Sequence, residues 1–153
     1  MIDISTNEHV EAFPSKIAAA SGSPHQWDMV MTADTDNGSL VTLGDYVSFS
    51  TYKAGAAPSG FKGKILEASA DGNWYIQVTT ADGAIFLYNT PVSPYGEKLL
   101  RDHQLFYNAK NDVVRGYELI DNDIFEISEL GFDGALEAGK TVTYSSGKYV
   151  VGT

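Results

Sequence analysis

There is no cysteine in the 153 residues. That absence excludes a disulfide framework, a thiolate nucleophile and any zinc site built with sulfur, and it fits folding in a reducing cytosol. Basic charge is also scarce, with 10 Lys and Arg against 20 Asp and Glu and a formal charge of -10. Such a surface repels nucleic acid phosphates, and no segregated basic patch offsets it, which argues against an oligonucleotide-binding barrel. No apolar run approaches the roughly 20 residues that a membrane helix needs. The start MIDISTNEHVEAF lacks the basic segment and apolar block of a secretory signal, so neither a membrane nor a secreted location is expected. His9, His25 and His103 lie far apart and form no paired metal-ligand spacing. There is no G-x-S-x-G elbow, no P-loop and no G-x-G-x-x-G after a strand. No catalytic residue, metal site or cofactor is nominated.

What is present is a β texture. After Asp28 short apolar runs recur about every ten residues between turn residues, and no βαβ rhythm or internal repeat emerges. Trp74, Ile76 and Val78 alternate with Tyr75, Gln77 and Thr79, which places the two sets on opposite faces of one strand. Asp82-Gly83 then predicts a hairpin into Ala84–Tyr88. Further strands are expected over residues 113 to 120, over Ile124–Ser128 and over Thr141–Tyr144. Ser145-Ser146-Gly147 turns the last of these into Lys148–Val151, with Val142, Tyr144 and Val150 expected in the core. Gly96–Phe106 is the best competing helix window, although it is barely three turns long. The chain thus reads as mainly β, an antiparallel β-sandwich or small β-barrel over residues 29-153.

Residues 1-28 read differently. Ile2, Ile4, Val10, Phe13, Ile17 and Trp27 follow no sustained period, Pro14 and Pro24 interrupt, and Ala18-Ala19-Ala20 supports at most a short helical turn. This predicts an extended N-terminal arm whose apolar residues must be hidden, either on the chain's own body or on a neighbour.

The stretch Asp34-Thr35-Asp36-Asn37-Gly38 poses the sharpest chemical question, metal loop or turn. An EF-hand loop wants an oxygen ligand at position five, glycine at six and glutamate at twelve, flanked by helices. Here Gly38, Ser39 and Asp45 occupy those positions and the flanks are strand formers, so the turn reading wins, with Asn37-Gly38 expected as a type I′ hairpin pair. Asp121-Asn122-Asp123, with Glu126 and Glu129, contains enough carboxylates for a glycosidase pair. Its simpler reading is a solvated turn leading into a strand with Glu126 on the outer face. Nine tyrosines raise a sugar-stacking platform as another reading, drawing on Tyr88, Tyr95, Tyr107, Tyr117, Tyr144 and Tyr149.

Three segments carry a resemblance. Asp36-Asn37-Gly38-Ser39-Leu40-Val41-Thr42-Leu43-Gly44 resembles the early segment of small tailed-bacteriophage head decoration proteins. Val114-Arg115-Gly116-Tyr117-Glu118-Leu119, followed by Asp123-Ile124-Phe125-Glu126-Ile127-Ser128, is similar to their R-x-Y-x-L and D-x-F-x-[IV]-[ST] patterns. Gly139-Lys140-Thr141-Val142 through Gly147-Lys148-Tyr149-Val150 resembles their C-terminal hairpin. The resemblance spans residues 29 to 151, while the arm and residues 91 to 111 match nothing in it.

What it implies is a capsid cement protein, a non-enzymatic structural virion protein that binds the exterior of the phage capsid and stabilises the assembled head. Its partner would be the major capsid protein, with self-association as a dimer or trimer left open. It would be made in the bacterial host cytoplasm. Phe13, Ile17 and Trp27 are the expected capsid contacts, because aromatic residues dominate interface energetics. The alternatives are a carbohydrate-binding β module of a head fibre or adhesin, and a small β-sandwich hydrolase.

Overall fold

The computed structural model describes residues 3–4, 10, 12–17, 26–48, 51–70, 72–88, 106–145 and 147–152. The chain passes through Asp3–Ile4 (β1), Ala12–Lys16 (β2), Gln26–Val30 (β3), Leu40–Val41 (β4), Leu43–Ser48 (β5), Thr51–Ala54 (β6), Lys62–Ala68 (β7) and Trp74–Thr80 (β8). It continues through Ile85–Leu87 (β9), Phe106–Tyr107 (β10), Val113–Glu118 (β11), Ile124–Ile127 (β12), a 3-10 turn at Glu129–Gly131, Phe132–Asp133 (β13), Thr141–Ser145 (β14) and Lys148–Val151 (β15). Two curled sheets result, a six-stranded one ordered β4-β9-β11-β3-β6-β5 and a seven-stranded one ordered β13-β15-β14-β7-β8-β12-β2. β1 pairs with β10 separately. Pairing is antiparallel except for β3 with β6 and β13 with β15. This is the mainly β, sandwich-like body expected.

Period-two patterning explains which residues meet. In β8, Ile76 and Val78 are buried while Tyr75 and Gln77 face the other way; in β14, Val142 and Tyr144 are buried between exposed neighbours. The inner faces enclose an aromatic core. Phe86 from the six-stranded sheet lies 4.8 Å from Phe125 of the seven-stranded one, and Tyr149 stacks within 5.0 Å of Tyr144 and 5.7 Å of Phe125. Phe61 and Phe132 close the ring around Tyr149. In β15 the core residue is Tyr149, 2% exposed, whereas Val150 is half-buried on the opposite side. Alternation also gives the six-stranded sheet a second apolar face: Ile85 and Leu87 flank Phe86 but join Met29, Met31 and Val114 in a smaller cluster.

Two expectations are corrected. β8 and β9 form no hairpin, since they belong to different sheets. The turn itself is present, with Asp82 at φ 50°, Gly83 at φ 76° and Ala84 N-H donating to the Ala81 carbonyl at 3.0 Å, but it carries the chain from one sheet to the other. Nor does Asn37-Gly38 close a hairpin, because β3 and β4 are not neighbours. Gly38 sits at φ 84° and Asn37 is not in the left-handed region, which rules out type I′; the pattern is that of a type II turn.

The described parts of the 1-28 segment lie in the sheets. β2 is the edge strand beside β12, with Ala12 and Ile17 buried in the main core. Pro14 is compatible with this because β2 is an edge and carries a register shift opposite β12, where a missing N-H breaks no ladder on its far side. Trp27 lies within β3, between β11 and β6. Deleting 1-28 would therefore strip an edge strand and Ile17 from the body, testing stability rather than docking. The windows at Ala18-Ala19-Ala20 and residues 96 to 105, and all three histidines, fall outside the described residues.

Candidate functional site

The Asp34–Ser39 loop is a clasp. Thr35 and Asn108 exchange both backbone hydrogen bonds, at 2.7 and 2.8 Å, and the Asn108 side-chain amide donates to the Asn37 side-chain oxygen at 3.0 Å in a buried site. Asp34 accepts from the Lys110 N-H at 2.9 Å and Asp36 from the Val10 N-H at 3.2 Å. The Gly38 N-H donates to the Leu87 carbonyl, and the Gly38 carbonyl accepts from the Tyr149 hydroxyl at 2.6 Å. Both carboxylates thus hold backbone. Among the described residues no group of three or more His, Cys, Asp or Glu is placed to hold a metal ion.

Beside the clasp lies an open depression of about 470 Å3 whose lining includes Asp34, Asp36, Ser39, Leu40 and Tyr144. Burial pushes the Tyr144 phenol above its ordinary value, partly offset by its hydrogen bonds with Ser39 and the Leu40 backbone. Asp121-Asn122-Asp123 is likewise structural, Asp123 accepting from the Ile120 N-H at 2.9 Å and Asp121 from the Ala81 N-H at 3.3 Å.

Tyr149 yields the first expected result. Its phenol is pushed well above the ordinary 10.0, first by burial and then by Tyr144. The folded chain therefore binds this proton more tightly than the unfolded one. The contribution to stability is complete below about pH 10 and is lost as pH rises through the folded value. Tyr149→Phe leaves the Gly38 carbonyl without its donor and should cost about 1–3 kcal/mol at pH 7. Urea melts at pH 7 and above pH 10 should show that cost and a weaker alkaline loss in the variant; parallel curves for the two proteins would contradict it.

Of the exposed large apolar side chains among the described residues, Val113, Ile120 and Leu130 are scattered, while three lie together on the outermost strand of the six-stranded sheet. In β5, Leu43, Tyr46 and Val47 are 41%, 62% and 45% exposed. Neighbouring positions on both faces are open because the register shifts twice against β6 and no described strand pairs with the far edge. Tyr46 stands directly opposite Tyr52, with ring centroids 5.4 Å apart and planes at 77°. Tyr52 meets Trp27 edge-on, also at 5.4 Å. Trp27, Tyr52 and Tyr46 thus form a row from the interior of the sheet to its rim.

The expected contact residues separate accordingly. Ile17 is 4% exposed and belongs to the core. Phe13 is half-buried on β2, and Trp27, also half-buried, anchors the aromatic row. Of the tyrosines considered for a platform, Tyr144 and Tyr149 are core, Tyr88 and Tyr117 pack against it, Tyr107 lies on the strand that pairs with β1, and Tyr95 lies outside the described residues. Tyr46 and Tyr52 were not singled out from sequence, although Tyr46-Val47 sits between Gly44-Asp45 and a Ser-rich stretch, the texture of a rim strand.

Compared with known protein families, characterised proteins and solved structures, the chain matches none.

Proposed function

We propose that this chain is a non-enzymatic virion protein that binds the outer surface of a tailed-phage capsid and stabilises the assembled head, with the major capsid protein as its partner. The observation that carries this reading is the row Trp27, Tyr52 and Tyr46 with Leu43 and Val47, an apolar, aromatic rim on a rigid sheet. Aromatic side chains already ordered before contact lose little entropy on binding, and such residues dominate interface energetics. Of the sequence segments that resemble decoration proteins, β11 pairs with β3 beneath this rim, while β12 and the β14 to β15 hairpin build the opposite sheet. Many copies, each modest in affinity, suffice to brace a shell across its joints.

The test is co-sedimentation with phage heads lacking the protein, using wild type and Tyr46→Ser/Tyr52→Ser. Saturable wild-type binding, reduced at least roughly tenfold in the variant at unchanged melting temperature, is expected from the loss of two interface aromatics. Wild type that stays in the supernatant overturns the reading; a variant that binds like wild type moves the contact elsewhere. The competing reading, a carbohydrate-binding module of a head fibre or adhesin, draws on the exposed ring of Tyr46, and a glycan array without hits removes it.

A further inference from the structure

Glu126 is 7% exposed, and its Oε1 has no hydrogen-bond partner. Its flanking residues Phe125 and Ile127 are 0% exposed in the main core, so alternation turns Glu126 to the outer face of the seven-stranded sheet. On that face it stands directly between Tyr75 of β8 and Phe13 of β2, both half-buried. Residues opposite one another on adjacent antiparallel strands are cross-strand neighbours, which sets an aromatic residue on either side of Glu126. No ion pair reaches it from any described side chain. A carboxyl oxygen removed from water without a partner is a standing cost, and natural structures seldom keep one without a use.

We infer that Glu126, Tyr75 and Phe13 form a receptor for a single cationic side chain, an arginine presented by the partner surface. A guanidinium offers the donors the carboxylate lacks, and its plane stacks on aromatic rings as a lysine ammonium does less well. Charge complementarity points the same way, since a chain of net charge -10 attracts basic groups. A slender side chain suits a carboxylate flanked by two half-buried residues, whereas a sugar needs a broad, open aromatic face. β2 is the sheet edge, so Phe13 can shift outward without breaking a further strand pair. The identity of the partner rests on the capsid reading; the receptor itself does not.

The experiment is an NMR titration of the labelled full chain with N-acetyl-arginine amide and, separately, with its neutral isostere N-acetyl-citrulline amide. Saturable shifts at Phe13, Tyr75 and Glu126 are expected with the arginine probe, at least roughly tenfold weaker with citrulline and in Glu126→Gln. That variant should stay folded, with a melting temperature close to the wild-type value, since it keeps the shape of the side chain and breaks no described hydrogen bond. No shift at these residues, equal responses to both probes, or an unaltered response in Glu126→Gln each overturn the receptor. A response to saccharides in place of arginine overturns it in favour of sugar recognition. Heads that bind the protein when the probe does not would sink the receptor alone; probe binding without head binding would sink the capsid reading alone.

Discussion

Phe125→Ala should lower the stability by about 3–5 kcal/mol, the range for deleting a fully buried aromatic ring. Phe125 is 0% exposed and joins both sheets, touching Phe86 across the sandwich at 4.8 Å and Tyr149 within its own sheet at 5.7 Å. Phe61 lies 6.4 Å away, so the void left behind is lined by large rings that cannot easily collapse into it. For a domain whose total stability is about 5–15 kcal/mol, such a loss lowers the melting temperature by roughly 10 °C or more. Urea unfolding should show a lower midpoint with an unchanged slope. Val113→Ala is the control: Val113 is 54% exposed, and its truncation should stay within about 0.5 kcal/mol. A loss below about 1.5 kcal/mol for Phe125→Ala would remove it from the centre of the core.

Gly38→Ala should be nearly as damaging for a different reason. The residue sits at φ 84°, where an L side chain costs about 1–2 kcal/mol. A Cβ there would also lie 2.6 Å from Ile127 Cδ1 and 2.7 Å from Ala12 Cβ, and overpacking of that kind adds about 1–3 kcal/mol. Gly147→Ala separates the two effects, because Gly147 has φ 80° and nothing within 4 Å of its would-be Cβ. The difference between the two variants measures the clash alone; equal losses would mean that β2 and Ile127 yield at no cost. Ala12 belongs to β2, so the clash also pries at the edge strand. Amide exchange in β2 should quicken in Gly38→Ala and not in Gly147→Ala, which ties the clasp to the edge of the seven-stranded sheet.

The separation between what is local and what is not runs through particular residues. Strand identity, and the face on which each side chain lies, follow from a period of two, so Trp74, Ile76 and Val78 were legible, as was the β14 to β15 hairpin closed at Gly147. Chirality makes certain positions require glycine or its near substitutes, so the turns at Asp82-Gly83 and Gly38 were legible too. The proposed docking would leave no such local mark, because a docking surface needs no fixed constellation of residues. Which sheet receives a strand is not encoded in its own alternation: β8 and β9 read as a hairpin, yet the turn between them crosses the sandwich.

Asn37 pairs with Asn108 across 71 positions, a contact no short pattern announces. β2 was illegible because its alternation is broken by Pro14 and a register shift, and only its pairing with β12 makes Ile17 a core residue. Tyr149 displaced Val150 from the core, and Tyr46 rather than Tyr144 or Tyr149 reached the rim, because burial is decided by the neighbours a side chain meets. The amino-acid sequence by itself determined a cysteine-free, acidic, mainly β chain with its turns in place, since these rest on composition, chirality and the pleat. Tertiary packing alone decided the sheet order, the clasp, the aromatic rim and the orphaned carboxylate of Glu126, since each depends on residues brought together from distant parts of the chain.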